Sequence, residues 1–140
     1  MLTAELSILI TDDSRAMRRI IRHHLQELSF TDIREAPNGQ AAWDILQQEH
    51  FHLVISDWYM PRMKGIELLR KIRSCERLGH MPFLMVTAEA RKANLVEAVQ
   101  CGVSGYMTKP FTLDDMRSKL AKIMAKPSFS HRLKESQPAA

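Results

Sequence analysis

Leu53-Val54-Ile55-Ser56-Asp57 is a short, almost wholly apolar run that ends in an acid. Such a run, too short for a helix, is the pattern of a central strand covered on both faces of a parallel sheet. Reading outward, the same figure recurs. Ile8-Leu9-Ile10-Thr11 closes on Asp12 and Asp13, and Phe83-Leu84-Met85-Val86 closes on Thr87. Tyr106-Met107-Thr108 is followed by Lys109 and then Pro110. Longer amphipathic stretches separate these runs, which predicts βα units and a parallel sheet, an α/β fold.

The intervening stretches carry helical spacing. Met17, Ile20, Ile21, Leu25 and Leu28 form one face after a potential cap at Ser14, with Arg15, Arg18, Arg19 and Arg22 turned outward. A short second strand is expected at Asp32–Ala36, followed by the turn Pro37-Asn38-Gly39 and a helix through Ala42, Ile45 and Leu46. Residues 60–65 read as a loop, and Leu68, Leu69 and Ile72 mark a third helix. A fourth helix spans roughly Arg91–Gln100, with Gly102 placed to end it. Thr112 is placed to cap a last helix with Leu113, Met116, Leu120, Ile123 and Met124 inward.

At 140 residues the chain is the size of one domain. Its single folded unit is expected over residues 1–125, with 126–140 a disordered tail or linker stub. No apolar run is long enough to span a bilayer and no signal peptide is evident, so a cytoplasmic, membrane-free monomer is expected. Cys75 and Cys101 have no metal-ligand spacing and read as reduced thiols. The formal charge of +4 gathers in the first-helix arginines and in Lys126, Arg132 and Lys134, without interleaved aromatics. A solvated helix face and polar tail explain it, and no nucleic-acid partner is expected. The six histidines show no metal-binding pattern, and Met60 and Met63 read as loop packing.

In doubly wound sheets, ligands bind beyond the carboxyl ends of the strands. Asp12, Asp13, Asp57, Thr87 and Lys109 all fall there. Singly, each has an ordinary explanation: a helix cap, a strand end, a surface lysine. Together they make a divalent-metal and phosphoryl site. Clustered carboxylates resist joint ionisation unless a hard cation joins them, and Mg²⁺ suits an all-oxygen set. A carboxylate can act as nucleophile on phosphorus, with an ammonium and a hydroxyl meeting the phosphoryl oxygens.

Asp12-Asp13, Ser56-Asp57-Trp58-Tyr59-Met60-Pro61, Met85-Val86-Thr87-Ala88-Glu89-Ala90, Ser104-Gly105-Tyr106 and Lys109-Pro110-Phe111 together resemble the receiver domains of two-component signalling, and most of all the chemotaxis response regulators. The resemblance covers residues 6 to 125. It implies a three-layer, flavodoxin-like (βα)5 fold with strand order 2-1-3-4-5 and a cis Lys109–Pro110 bond. It implies Asp57 as phosphoacceptor, Mg²⁺ held by Asp12, Asp13, Asp57 and the backbone carbonyl of Tyr59, and Thr87 and Lys109 on the phosphoryl group. Tyr106 is then the switch. The output face is built by the fourth helix, last strand and last helix, with Arg91, Lys92, Val99, Lys119 and Lys122. The implied partners are a histidine kinase or histidine phosphotransfer protein as donor and a flagellar motor switch component as target.

Tyr59 and Lys64 depart from the usual residues of this pattern. The resemblance implies that Tyr59 and Glu89 border the water's path to the phosphoryl group. A tyrosine ring there is expected to cover that path, the alternative being a ring that swings into solvent and whose phenol orients the water. Two other functions compete. One is a receiver cut from a larger regulator with a DNA-binding or enzymatic output. The other is a Mg²⁺-dependent phosphohydrolase, against which Tyr59 stands where such enzymes commonly carry an acid/base carboxylate.

Overall fold

The computed structural model describes residues 5–88, 91–127 and 129. Glu89 and most of the expected tail, including His131, Arg132 and Lys134, lie outside the described residues. The elements alternate throughout: β1 (Ser7–Thr11), α1 (Arg15–Glu27), β2 (Asp32–Ala36), α2 (Gly39–Gln48), β3 (Leu53–Ser56), α3 (Gly65–Ser74), β4 (Phe83–Thr87), α4 (Lys92–Gln100), β5 (Gly105–Thr108) and α5 (Leu113–Met124). The strands form one parallel sheet of order β2-β1-β3-β4-β5, the order that the resemblance implies. No helix among the described residues is long and apolar enough to cross a membrane.

The strands' period of two sorts their side chains onto two cores. Ile8, Ile10, Leu53, Ile55, Leu84 and Val86 pack with Ile21 and Leu25 of α1 and with Met116, Leu120 and Ile123 of α5. Leu9, Val54, Phe83 and Met85 face the other way, onto Leu46 of α2, Leu68, Leu69 and Ile72 of α3, and Ala98 of α4. Each fully buried large apolar side chain contributes roughly 1.5–3 kcal/mol. Phe129, within the stretch expected to be a tail, is 5% exposed and packs into the first of these cores.

The helix caps follow the sequence. Ser14 Oγ accepts from Met17 N at 3.2 Å, Asn38 Oδ1 from Ala41 N at 2.8 Å, and Thr112 Oγ1 from Asp115 N at 3.0 Å. Gly102, with φ of +85°, ends α4 in the left-handed region. The Lys109–Pro110 bond is cis, as expected.

Helix α1 differs from its expected amphipathic face. Ile20 is 45% exposed, whereas Arg18 and Arg22 turn back to Glu35 of β2, with Nε–Oε distances of 3.0 and 2.7 Å. Burial alone would raise the Glu35 carboxyl, but the Arg22 and Arg18 guanidinium groups hold it below its ordinary value. Helix α4 is the least embedded: of its residues only Ala98 is buried, and Leu95, Val96 and Val99 are exposed. Its far end is fixed by Arg73 of α3, which donates to the carbonyls of Gly79, Met81 and Gly102.

Candidate metal and phosphoryl site

The parallel ladders carry one residue past the ends of β1, β3 and β5. Asp57 N donates to Thr11 O at 3.0 Å, and Lys109 N donates to Thr87 O at 2.9 Å. These bonds fix where the chemistry-bearing side chains emerge. Asp12, Asp13 and Asp57 each bring a carboxylate oxygen to one place, all within 4.8 Å of one another. Asp12 is buried, Asp57 half-buried and Asp13 exposed, so the cluster opens to solvent on one side. Thr87 is 1% exposed, at the end of β4 in the same sheet.

The carboxylates are oriented by the backbone. Asp12 Oδ1 accepts from Ser14 N at 2.8 Å, and Asp57 Oδ1 accepts from Trp58 N at 2.6 Å. Their other oxygens share the Lys109 ammonium: Nζ lies 2.9 Å from Asp12 Oδ2 and 3.1 Å from Asp57 Oδ2. Burial pushes the Asp12 carboxyl above its ordinary value, and the bonds from Lys109 and Ser14 only partly offset it. Burial alone would lower the Lys109 ammonium, yet the bonds and charges of Asp12 and Asp57 prevail and raise it. The donors are all hard oxygens, and one of them is crowded toward its neutral form. That set fits a small dication, which relieves both desolvation and repulsion.

Tyr59 follows in the loop after β3, 49% exposed, with Oη 3.4 Å from Asn94 Nδ2 of α4. Tyr106 is half-buried on β5 and packs against the core beneath α3 and α4. Trp58 is 3% exposed, directly beside Asp57. Met60 and Met63 are buried as expected of loop packing, and Met60 Sδ lies 3.4 Å from Thr11 Oγ1.

Gly65 carries a role that the linear pattern does not reveal. A Cβ there would stand 1.9 Å from the Asp57 carbonyl oxygen, so only glycine lets α3 begin against the backbone of the acid. Its N–H donates to Trp58 O at 2.7 Å, tying the start of α3 to the loop. A glycine at a helix start was the available signal, but the close approach needs the tertiary fold. Lys64, just before it, caps through its backbone N–H, which donates to Glu67 Oε1 at 3.1 Å.

Comparison with known proteins agrees with this geometry. The response regulator receiver domain family matches residues 8–121. The chain is 48% identical over 118 residues to the chemotaxis protein CheY of Pseudomonas aeruginosa, a match covering 84% of this chain and 95% of that protein. It is 46% identical over 122 residues to chemotaxis protein CheY-3 of Vibrio cholerae, covering 87% and 94% respectively. Among solved structures, the chemotaxis response regulator CheY4 of Vibrio cholerae aligns with a TM-score of 0.78 at 29% identity, over 84% of this chain and 98% of that one. The family match enters in the first strand and leaves in the last helix, and the chain belongs to the response regulator receiver domain family.

Proposed function

We propose that this chain is a phosphorylation switch in which Asp57 accepts a phosphoryl group and partner binding changes in response. One observation carries the reading: the Lys109 ammonium sits between Asp12 and Asp57, at 2.9 and 3.1 Å, where three carboxylates converge at the strand ends. An Asp57 oxygen attacks phosphorus of a phosphohistidine on a histidine kinase or phosphotransfer protein. The P–N bond breaks, and the departing imidazole keeps the electron pair and takes up a proton. The Trp58 N–H holds the Asp57 carboxylate in orientation through its other oxygen. Lys109 neutralises one phosphoryl oxygen, and the Thr87 hydroxyl donates to another.

Receiver domains of this family bind Mg²⁺ at an acidic pocket, and here Asp12, Asp13 and Asp57, with the backbone carbonyl of Tyr59, would hold it. When bound, the ion supplies positive charge to the phosphoryl oxygens that the side chains do not reach. Thr87 moves toward the phosphoryl group, and the Tyr106 ring turns into the space released. The face of α4, β5 and α5 then presents Arg91, Lys92, Val99, Lys119 and Lys122 differently to a target. Its basic residues suit a partner segment carrying acidic side chains, and the named relatives support chemotaxis, with a flagellar motor switch component as that target. Chemistry is confined to the chain's own aspartate, with no separate catalytic output.

Acetyl phosphate with Mg²⁺ provides the test. It should label Asp57 alone, as read by mass spectrometry of base-labile phosphate, and Asp57→Asn should abolish labelling. Phosphate on another residue of the wild type would overturn the assignment.

A further inference from the structure

A groove of about 400 Å³ separates the start of α3 from α4. Tyr59, Lys64 and Arg70 line one side of it, and Asn94 and Glu97 the other. Two polar bridges cross it. Asn94 Nδ2 donates to Tyr59 Oη at 3.4 Å, and Arg70 pairs with Glu97. The Lys64 ammonium lies 5.8 Å from the Tyr59 ring centre, where its charge favours the aromatic face. Helix α4 buries only Ala98, so apolar packing does little to fix it. The polar bridges at Asn94 in its first turn and at Glu97 beyond its middle therefore help to place it.

Tyr59 is also two residues beyond Asp57, in the loop whose carbonyl would face the metal. A phenol ring is rigid, so rotating the backbone at 59 swings its hydroxyl against α4. We propose that Tyr59 is a positioning residue: through Asn94 it braces the loop after β3 to the first turn of α4, so that loop and helix shift together. Lys64 keeps the ring across the groove. This path is separate from the one through Thr87 and Tyr106, and it gives the exposed helix of the output face a direct mechanical link to the acidic site. Its signalling consequence rests on the phosphoacceptor reading; the brace itself belongs to the metal-free protein.

Hydrogen exchange of the α4 amides in metal-free protein tests it, with Tyr59→Phe, Asn94→Ala and the double variant. Each single change should speed exchange about twofold, the loss expected of one exposed hydrogen bond, and the double variant should show no more than either. Arg70→Met, which breaks the other bridge, should instead add to Tyr59→Phe. A Mg²⁺ titration followed by Trp58 fluorescence should show the same sharing, with an equal shift in both single variants. Additive effects of Tyr59→Phe and Asn94→Ala, or wild-type exchange in either, would overturn the brace. Acetyl phosphate labelling of the wild type runs alongside. Its failure would remove the phosphoacceptor reading, while the metal-free exchange would still decide the brace.

Discussion

Replacing Gly65 by alanine sets two effects of opposite sign against each other. Helix propensity favours alanine by roughly 1 kcal/mol in a helix interior, and by less at the first residue of α3. The added Cβ, however, would lie 1.9 Å from the Asp57 carbonyl oxygen and 2.9 Å from its carbon. A carbon–oxygen contact relaxes at about 3.3 Å, so about 1.4 Å must be recovered by moving the two backbones apart. Neither is free to move: Gly65 N is bonded to Trp58 O at 2.7 Å, and Asp57 N to Thr11 O at 3.0 Å. Overpacking of this kind costs about 1–3 kcal/mol, which outweighs the propensity gain. We expect Gly65→Ala to lose about 1–2 kcal/mol in urea unfolding. The displaced segment carries Asp57, the proposed nucleophile, and a misplacement near 1 Å lowers rates about 100-fold. Labelling of Asp57 by acetyl phosphate at saturating Mg²⁺, timed by intact-protein mass, should slow on that scale while far-ultraviolet circular dichroism stays native. A variant as stable as wild type that labels at the wild-type rate would refute the close-approach argument.

Other perturbations follow from the same contacts. Asp13→Ala should weaken Mg²⁺ binding about 10- to 100-fold, read by Trp58 fluorescence, since Asp13 is the solvent-facing member of the cluster. Glu35 is held below its ordinary value of 4.5 because the bonds from Arg22 and Arg18 outweigh its burial. Its contribution is therefore complete above that pH and is lost as pH falls through the lowered folded value. Glu35→Gln should cost roughly 1 kcal/mol at neutral pH and flatten the acid limb of a urea-midpoint profile below pH 4.5. Phe129→Ala should destabilise by about 3 kcal/mol in the same unfolding assay, whereas a surface residue would change it little.

The strands of the parallel sheet and the members of the acidic cluster were legible because both are written in local pattern, whereas the strand order followed only from the family resemblance. A buried parallel strand shows itself as an unbroken apolar run, and its end is where polarity returns. That places Asp12, Asp57 and Thr87 before any contact is known. Pairings across the chain leave no such trace. Arg18 and Arg22 looked like solvated charges on a helical wheel, because nothing local says that Glu35 of β2 stands opposite them. Ile20 reads as apolar but follows the helix geometry outward. Gly65, Asn94 and Arg73 act through the carbonyl or phenol of a residue on another element, and periodicity cannot express that. Phe129 sits in a polar, Pro-containing segment whose composition hides a ring that packs.

The Lys109 bridge also bears on how the chain is made. Its two partners lie 97 and 52 residues upstream. During synthesis both aspartates are in place long before the lysine exists, and closing such long loops is a late, entropically opposed step. β5 must add to the sheet edge beside β4 before the ammonium can reach the carboxylates. A nascent or truncated chain lacking β5 presents an acidic cluster without the Lys109 counter-charge. On the phosphoacceptor reading proposed above, competence to receive a signal arrives with the last strand, and a donor meets a working acceptor only once the sheet is complete.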